Sequence, residues 1–270
     1  MSKLITSGVE LRDLEYLASG KSLIHQVDAT IKLLVMLIFI GVTVSFSKYA
    51  LVELLPLVIY PLVLMSLADL SVRYLVKKIL LGLPFVLLIA SFNLYYDQTP
   101  WLNIGRVVLT GGLVSFLVIL LKFSLTVLAG LILIATTPFT ELTSALLRLK
   151  LSPILITQIS LTYRYLSVLF EETATLLQAY SLRSFKTTGV QYRAWDSFAG
   201  QLLLRTLSRG ERVHQAMLCR GFDGVLLLKN KSHFELIDWC YLFGWVIFFI
   251  LVRSLNLPEF LGMIFTGGLK

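Results

Sequence analysis

Few residues in this chain have the type and spacing to do chemistry, and most of them are cations. The stretch HQAMLCRGFDG, His214 to Gly224, and the earlier LQAYSLRSF, Leu177 to Phe185, each place an arginine four residues after an alanine, Ala179 before Arg183 and Ala216 before Arg220. Both arginines fall where a helix is expected to end, so each guanidinium meets the negative end of a helix dipole. Its planar five-donor fork is then free to grip a carboxylate on another protein. That is binding chemistry rather than catalysis. Arg205, Arg209, Arg212 and Arg220 recur at steps of four, three and eight, which at about 100° per residue keeps them within roughly an 80° sector of one helix. This basic face either supports docking or lies solvated or against anionic headgroups. Lys122 sits near the middle of the apolar run GGLVSFLVILLKFSLTVLAGLILIATT, where a charge is costly and two readings are open. One is an intramembrane function; the other is a lysine that snorkels or gives up its proton against backbone carbonyls inside the bundle.

Other chemistry is missing from the sequence. No G-x-x-x-x-G-K-[ST] phosphate loop occurs, so the chain is not expected to hydrolyse a nucleotide by itself. His25, His214 and His233 are far apart, and Cys219 and Cys240 form neither a disulfide framework nor a metal cage. Apart from Glu53 and Asp238 near the edges, the apolar runs contain no Asp, Glu or His for a proton relay. No Ser-His-Asp or paired-carboxylate pattern stands out. No enzyme activity, cofactor or metal site is expected.

The elements that must position the arginines follow from composition. With 270 residues, 57% hydrophobic, 15% charged and a mean hydropathy of +0.82, the chain is too apolar for a soluble domain. An all-α, polytopic membrane fold is expected, with about five spans at Ile31 to Phe46, Leu51 to Leu67, Ile79 to Tyr95, Gly112 to Thr136 and Leu236 to Val252. Pro56 and Pro61 should kink the second, and Gly111, Gly112 and Gly130 should let helices approach closely. LPEFLGMIF, near the C-terminus, is too short to span and should lie at the interface. The charged start MSKLITSGVELRDLEY is not expected to act as a signal peptide.

If the N-terminus is cytoplasmic, the inner segments hold all but five of the 24 Lys and Arg; the exceptions are Lys48, Arg106, Lys122, Arg253 and Lys270. The positive-inside rule therefore favours N-in and C-out, in the plasma (inner) membrane. It also accounts for the net charge of +8 without a nucleic-acid partner, anionic lipid being the simpler counterpart.

The organisation expected is a four-span bundle over 1–137, cytoplasmic helices over 138–232, and a last span with its tail over 233–270. In the middle region, Pro138 breaks the fourth span and a short helix runs from Thr140 to Arg148. A long amphipathic helix begins with Ser152 as cap and Pro153 at its first position, and stops around Phe185 to Gly189. Leu155, Ile159, Tyr163, Leu166, Phe170, Leu177 and Tyr180 share one side of it. A second helix spans Asp196 to Cys219, with Gly221 just past its end.

The stretch SLRSFKTTGVQYRAWDSFAGQLLLRTLSRGERVHQAMLCRGFDG, with SLIHQVDATIKLL at Ser22 to Leu34, resembles the transmembrane T component of energy-coupling factor (ECF) transporters, in particular the cobalt and nickel branch of CbiQ-type proteins. The resemblance covers most of the chain and is strongest from about Ser160 to Gly224. It implies a non-catalytic subunit of an ATP-driven importer for cobalt or nickel. That subunit would couple two cytoplasmic ATP-binding-cassette (ABC) ATPases to a small substrate-capturing membrane subunit, with a further small membrane subunit as an additional partner. In that family, Ala-Arg-Gly or Ala-Arg-Ser motifs at two coupling-helix ends seat in the ATPases. The corresponding residues are Leu182, Arg183 and Ser184, and Cys219, Arg220 and Gly221. Both arginines are kept, whereas Leu182 and Cys219 replace the alanine, which shifts the weight of docking onto the guanidiniums. Two rival readings are a membrane anchor whose basic face binds anionic lipid, and an intramembrane lipid-modifying enzyme using Lys122.

Overall fold

The computed structural model describes residues 22–96, 100–104, 107–183, 195–226 and 234–254, together with Ala18 and Gly20. These are helical almost throughout. The elements are α1 (Leu23–Gln26), α2 (Ala29–Ser45), α3 (Leu51–Leu54), a 3-10 turn (Leu55–Val58), α4 (Ile59–Leu67) and α5 (Val72–Tyr96). A short hairpin follows, β1 (Pro100–Ile104) and β2 (Val107–Thr110), and then α6 (Gly111–Thr136), α7 (Phe139–Arg148), α8 (Pro153–Arg183), α9 (Trp195–Leu218) and α10 (Leu236–Ser254). Contacts divide the described chain into two compact units, one holding α1 to α6 with α10 and the other α7 to α9.

All five apolar runs are helical, but they are not equivalent. The helices α5, α6 and α10 are long and apolar enough to cross a membrane, whereas α2 and the Leu51–Leu67 segment are shorter. The 17 residues of α2 reach about 26 Å, against a hydrocarbon core of roughly 30 Å. In the second run, Pro56 sits at the start of the 3-10 turn and Pro61 in the first turn of α4, so both prolines fall at a break in regular α geometry. Pro84 is a further interruption, inside α5.

Within the bundle unit, α5 packs most extensively on α6, and α2 packs against both α6 and α10. A Cβ built at Gly82 would lie 2.8 Å from the Phe123 ring, so this glycine is what allows α5 and α6 to approach so closely. Gly130 does not have that role, because a Cβ there meets open space; Gly111 and Gly112 are buried. Fully buried Phe39, Tyr60 and Phe249 form an aromatic knot tying α2, α4 and α10, with ring centroids 4.5 Å apart for Phe39 and Tyr60 and 5.5 Å for Phe39 and Phe249. Trp245 meets Tyr60 edge-on at 4.8 Å. The outer side of α5 exposes Leu81, Phe85, Leu88 and Phe92, a surface suited to lipid rather than water.

The hairpin pairs antiparallel, with a register irregularity between Pro100 and Leu102. These two strands lie in a stretch where the sequence predicts no regular element.

In the second unit, α8 begins as expected, with Ser152 O accepting from Ile156 N and Pro153 at the first helical position. Phe139 at the start of α7 stacks on Tyr163 of α8, with centroids 3.8 Å apart. Of the expected apolar side of α8, Leu177 is buried and Ile159, Tyr163, Leu166, Phe170 and Tyr180 are half-buried, but Leu155 is half exposed. The helix α9 starts at Trp195, which puts Asp196 in its first turn rather than at the cap, where its charge still complements the dipole. None of its residues is buried.

Candidate functional site

The geometry around Arg220 is built by the end of α9. Gly221 N donates to Leu218 O at 3.0 Å and Phe222 N to Met217 O at 3.1 Å. This pair of bonds, with Gly221 at φ +79°, is a Schellman motif. A Cβ at Gly221 would meet nothing within 4 Å, so the glycine is needed for its left-handed backbone and not for space. Arg220 is thereby the C-cap residue. Its side chain is exposed and bonds to no group among the described residues, and Cys219 beside it is an exposed free thiol. Past the tip, Val225 N donates to Asp223 Oδ1 at 3.3 Å and Leu226 N to Thr157 Oγ1 at 3.1 Å, which ties the RGFDG turn to the start of α8.

Arg183 is the last residue of α8. It too is exposed, with no side-chain partner among the described residues, and Leu182 is 69% exposed. Ser184 lies outside the described residues. Two contacts show that α8 and α9 run antiparallel: Glu172 meets Arg205, and Thr157 meets Leu226. From the first contact to Arg183 is 11 residues along α8, and to Arg220 is 15 residues along α9 in the opposite sense. At 1.5 Å per residue, the two guanidiniums are on the order of 30–40 Å apart, at opposite ends of the pair. The structure therefore does not bring the two motifs together into one site; it separates them.

The basic face divides. Arg205 Nη1 donates to Glu172 Oε1 at 2.6 Å and joins α9 to α8. Arg209 and Arg212 are exposed and line an open groove of about 870 Å³ between the two helices, together with Gln158, Tyr165 and His214. Leu203, Leu204 and Leu207 are also more than half exposed.

Lys122 is half-buried, and its Nζ donates to Phe46 O at 2.6 Å and Val44 O at 3.2 Å. These carbonyls lie at the C-terminal end of α2, where no later turn supplies N–H donors. Arg253 of α10 adds to the same end, with Nη2 3.5 Å from Ser45 O and its guanidinium 4.6 Å over the Phe46 ring. The relationship is reciprocal. Buried Lys32 in the first turn of α2 donates to Thr136 O, the last residue of α6, at 3.1 Å. Two antiparallel helices thus each cover the other's carbonyl end with a lysine. Sequence reasoning missed Lys32 and the buried Asp238 as structural groups. The available signal was that both are charged residues at the margins of apolar runs.

Among the described residues, no group of three His, Cys, Asp or Glu could hold a metal ion. Among the described residues, Arg183 and Arg220 are exposed guanidiniums at the ends of α8 and α9 in a multi-pass membrane chain. The comparisons with known proteins place the chain in a family. The family model described as CbiQ, cobalt transport protein, matches residues 20–234. An uncharacterized protein of Methanocaldococcus jannaschii is 25% identical over 247 residues, 86% of this chain and 81% of its own length. The energy-coupling factor transporter transmembrane protein EcfT 1 of Listeria monocytogenes is 25% identical over 244 residues, 82% of this chain and 86% of its own. The nickel permease LarQ of Lactiplantibacillus plantarum is 30% identical over 89 residues, a third of each chain. The chain belongs to the CbiQ family, the transmembrane T components of ECF transporters, and is a non-catalytic membrane component of such a transporter.

Proposed function

We propose that this T component docks two ABC-type ATPases through Arg183 and Arg220, one guanidinium in each, and passes their ATP-driven closure to a substrate-capturing membrane subunit. The observation that carries the reading is the pair of exposed forks at opposite ends of one antiparallel helix pair. A separation on the order of 30–40 Å suits two distinct sockets, one per ATPase, better than a single groove. Leu182, Ser184, Cys219 and Gly221 flank the forks, Arg205 holds α9 to α8, and Arg209 and Arg212 add positive charge. In this reading residues 138–232 are the coupling region and face the cytoplasm, with the N-terminus inside, the C-terminus outside and the chain in the plasma membrane. The exposed leucines of α9 and the outer faces of α8 and the Leu51–Leu67 segment are offered to the substrate-capturing subunit. A further small membrane subunit would complete the assembly.

The cargo is cobalt, with nickel as the alternative. Support for cobalt comes from the family description; the similarity to a protein named as a nickel permease supports the alternative. Uptake of each radioactive ion by cells carrying the complete transporter, with the other ion as competitor, separates them.

The docking step is tested by co-expression with the ATPase subunits and affinity purification of the T component. Wild type should recover both ATPases. Arg183→Glu combined with Arg220→Glu should recover almost none while inserting normally, because each fork is replaced by a charge that repels the partner carboxylate. Undiminished recovery would overturn the docking assignment.

A further inference from the structure

Among the described residues, the chain leaves the bundle unit after α6 and re-enters it at α10, and both places are tied to the first turn of α2. On the way out, α6 ends at Thr136, whose carbonyl accepts from Lys32 Nζ at 3.1 Å; after Pro138, α7 begins at Phe139. On the way back, α10 begins at Leu236, and Asp238 in its first turn accepts from Asp28 N at 2.7 Å and from Glu235 N at 2.9 Å. Asp28 caps α2 through Thr30 N, and Lys32 follows it by one turn on the same side of the helix. Asp28, Lys32, Thr136 and Asp238 are all at least nine-tenths buried.

Buried charges of this kind are seldom the cheapest way to hold helices together, since well-packed apolar residues often serve as well or better. What they supply is direction, because each bond is satisfied in one geometry. The Lys32 side chain fixes where the outgoing strand of chain leaves α6, and the Asp238 carboxylate, on the backbone N–H of Asp28, fixes where the returning strand starts α10, while the Asp28 carboxylate holds the first turn of α2 that both bonds use. The geometry points to Asp28, Lys32 and Asp238 as a clamp on both passages. Through it, movement of α7 to α9 is handed to α2, α6 and α10 as one body instead of being lost in two loose joints. These are positioning residues, and the inference rests on the proposed transmission of ATPase motion through this chain.

The test uses the complete transporter in proteoliposomes, comparing wild type with Lys32→Met, Asp238→Asn and the conservative Lys32→Arg. ATPase recovery, ATP hydrolysis and ion uptake are measured on the same preparations. Lys32→Met should keep both ATPases bound and hydrolysis close to wild type, while uptake per ATP falls roughly tenfold, a coupling loss within the range seen for positions remote from either ligand. Asp238→Asn keeps one of the two acceptor oxygens and sets an amide NH2 against the other N–H, so it should also lower uptake per ATP, and Lys32→Arg should recover most of the coupling. Unchanged uptake per ATP in Lys32→Met would overturn the clamp. So would parallel loss of hydrolysis and uptake with a lowered melting temperature, which marks a role in stability alone. Failure of wild type itself to recover the ATPases would instead count against the docking reading.

Discussion

Replacing Arg183 and Arg220 together with lysine should lower ion uptake by the assembled transporter at least tenfold, with membrane insertion and net charge unchanged. Lysine keeps the positive charge but loses the planar fork, so a bidentate grip on a carboxylate becomes a single point contact. About a tenfold loss of affinity at each socket is expected from weakening one charge-assisted pair, and losses at two distant sites compound. A chain that only rests its basic face on anionic headgroups would be indifferent to the exchange, because that attraction depends on charge and not on fork geometry. Radioactive-ion uptake, scaled to the amount of T component in the membrane, reads the difference. Wild-type uptake in the double-lysine variant would favour the lipid-anchor reading.

The second large effect is on stability. Lys122→Met removes a side chain that donates to Val44 O and Phe46 O at the end of α2. The methionine fills similar space, so the loss is mainly of two charge-assisted hydrogen bonds, one exposed and one part-buried, and roughly 1–3 kcal/mol of stability should go with it. Arg253, already near Ser45 O and the Phe46 ring, offsets only part of this. A lowered melting temperature of the purified protein in detergent, restored in part by Lys122→Arg, is the expected result. If Lys122 acted chemically on a lipid, Lys122→Met would instead abolish activity at unchanged stability.

Much of this architecture was legible because local signals and the final structure agree. Ser152 and Pro153 open α8, Gly221 closes α9 in a left-handed turn, and Pro138 separates α6 from α7. Runs of apolar residues were enough to locate the apolar helices among the described residues, three of them long enough to cross a membrane. They were not enough to rank them, since the shortness of α2 and the 3-10 break at Pro56 depend on where neighbouring helices end. That Arg183 and Arg220 stand at helix ends was also legible, but their placement at opposite ends of a pair required knowing that α8 and α9 are antiparallel.

What remained hidden was mostly long-range. Lys122 and Lys32 meet carbonyls 76 and 104 residues away, and the carboxylate of Asp238 meets a backbone N–H 210 residues away. No spacing rule connects such partners. Gly82 rather than Gly130 makes the close helix contact because Phe123 happens to lie opposite, a fact of packing that composition does not carry. The hairpin at 100–110 is two short strands between long helices, too brief for its periodicity to be read apart from a loop.

The most direct measurement of the central claim uses the chain's own chemistry. Cys219 and Cys240 are its two cysteines, and Cys219 is an exposed thiol next to Arg220. In a Cys240→Ser background, a membrane-impermeant maleimide should label Cys219 from the inner face of the membrane in the isolated T component. It should label the same thiol far more slowly once the ATPase subunits are bound. Labelling from the outer face, or labelling at the same rate with the ATPases in place, would contradict the account.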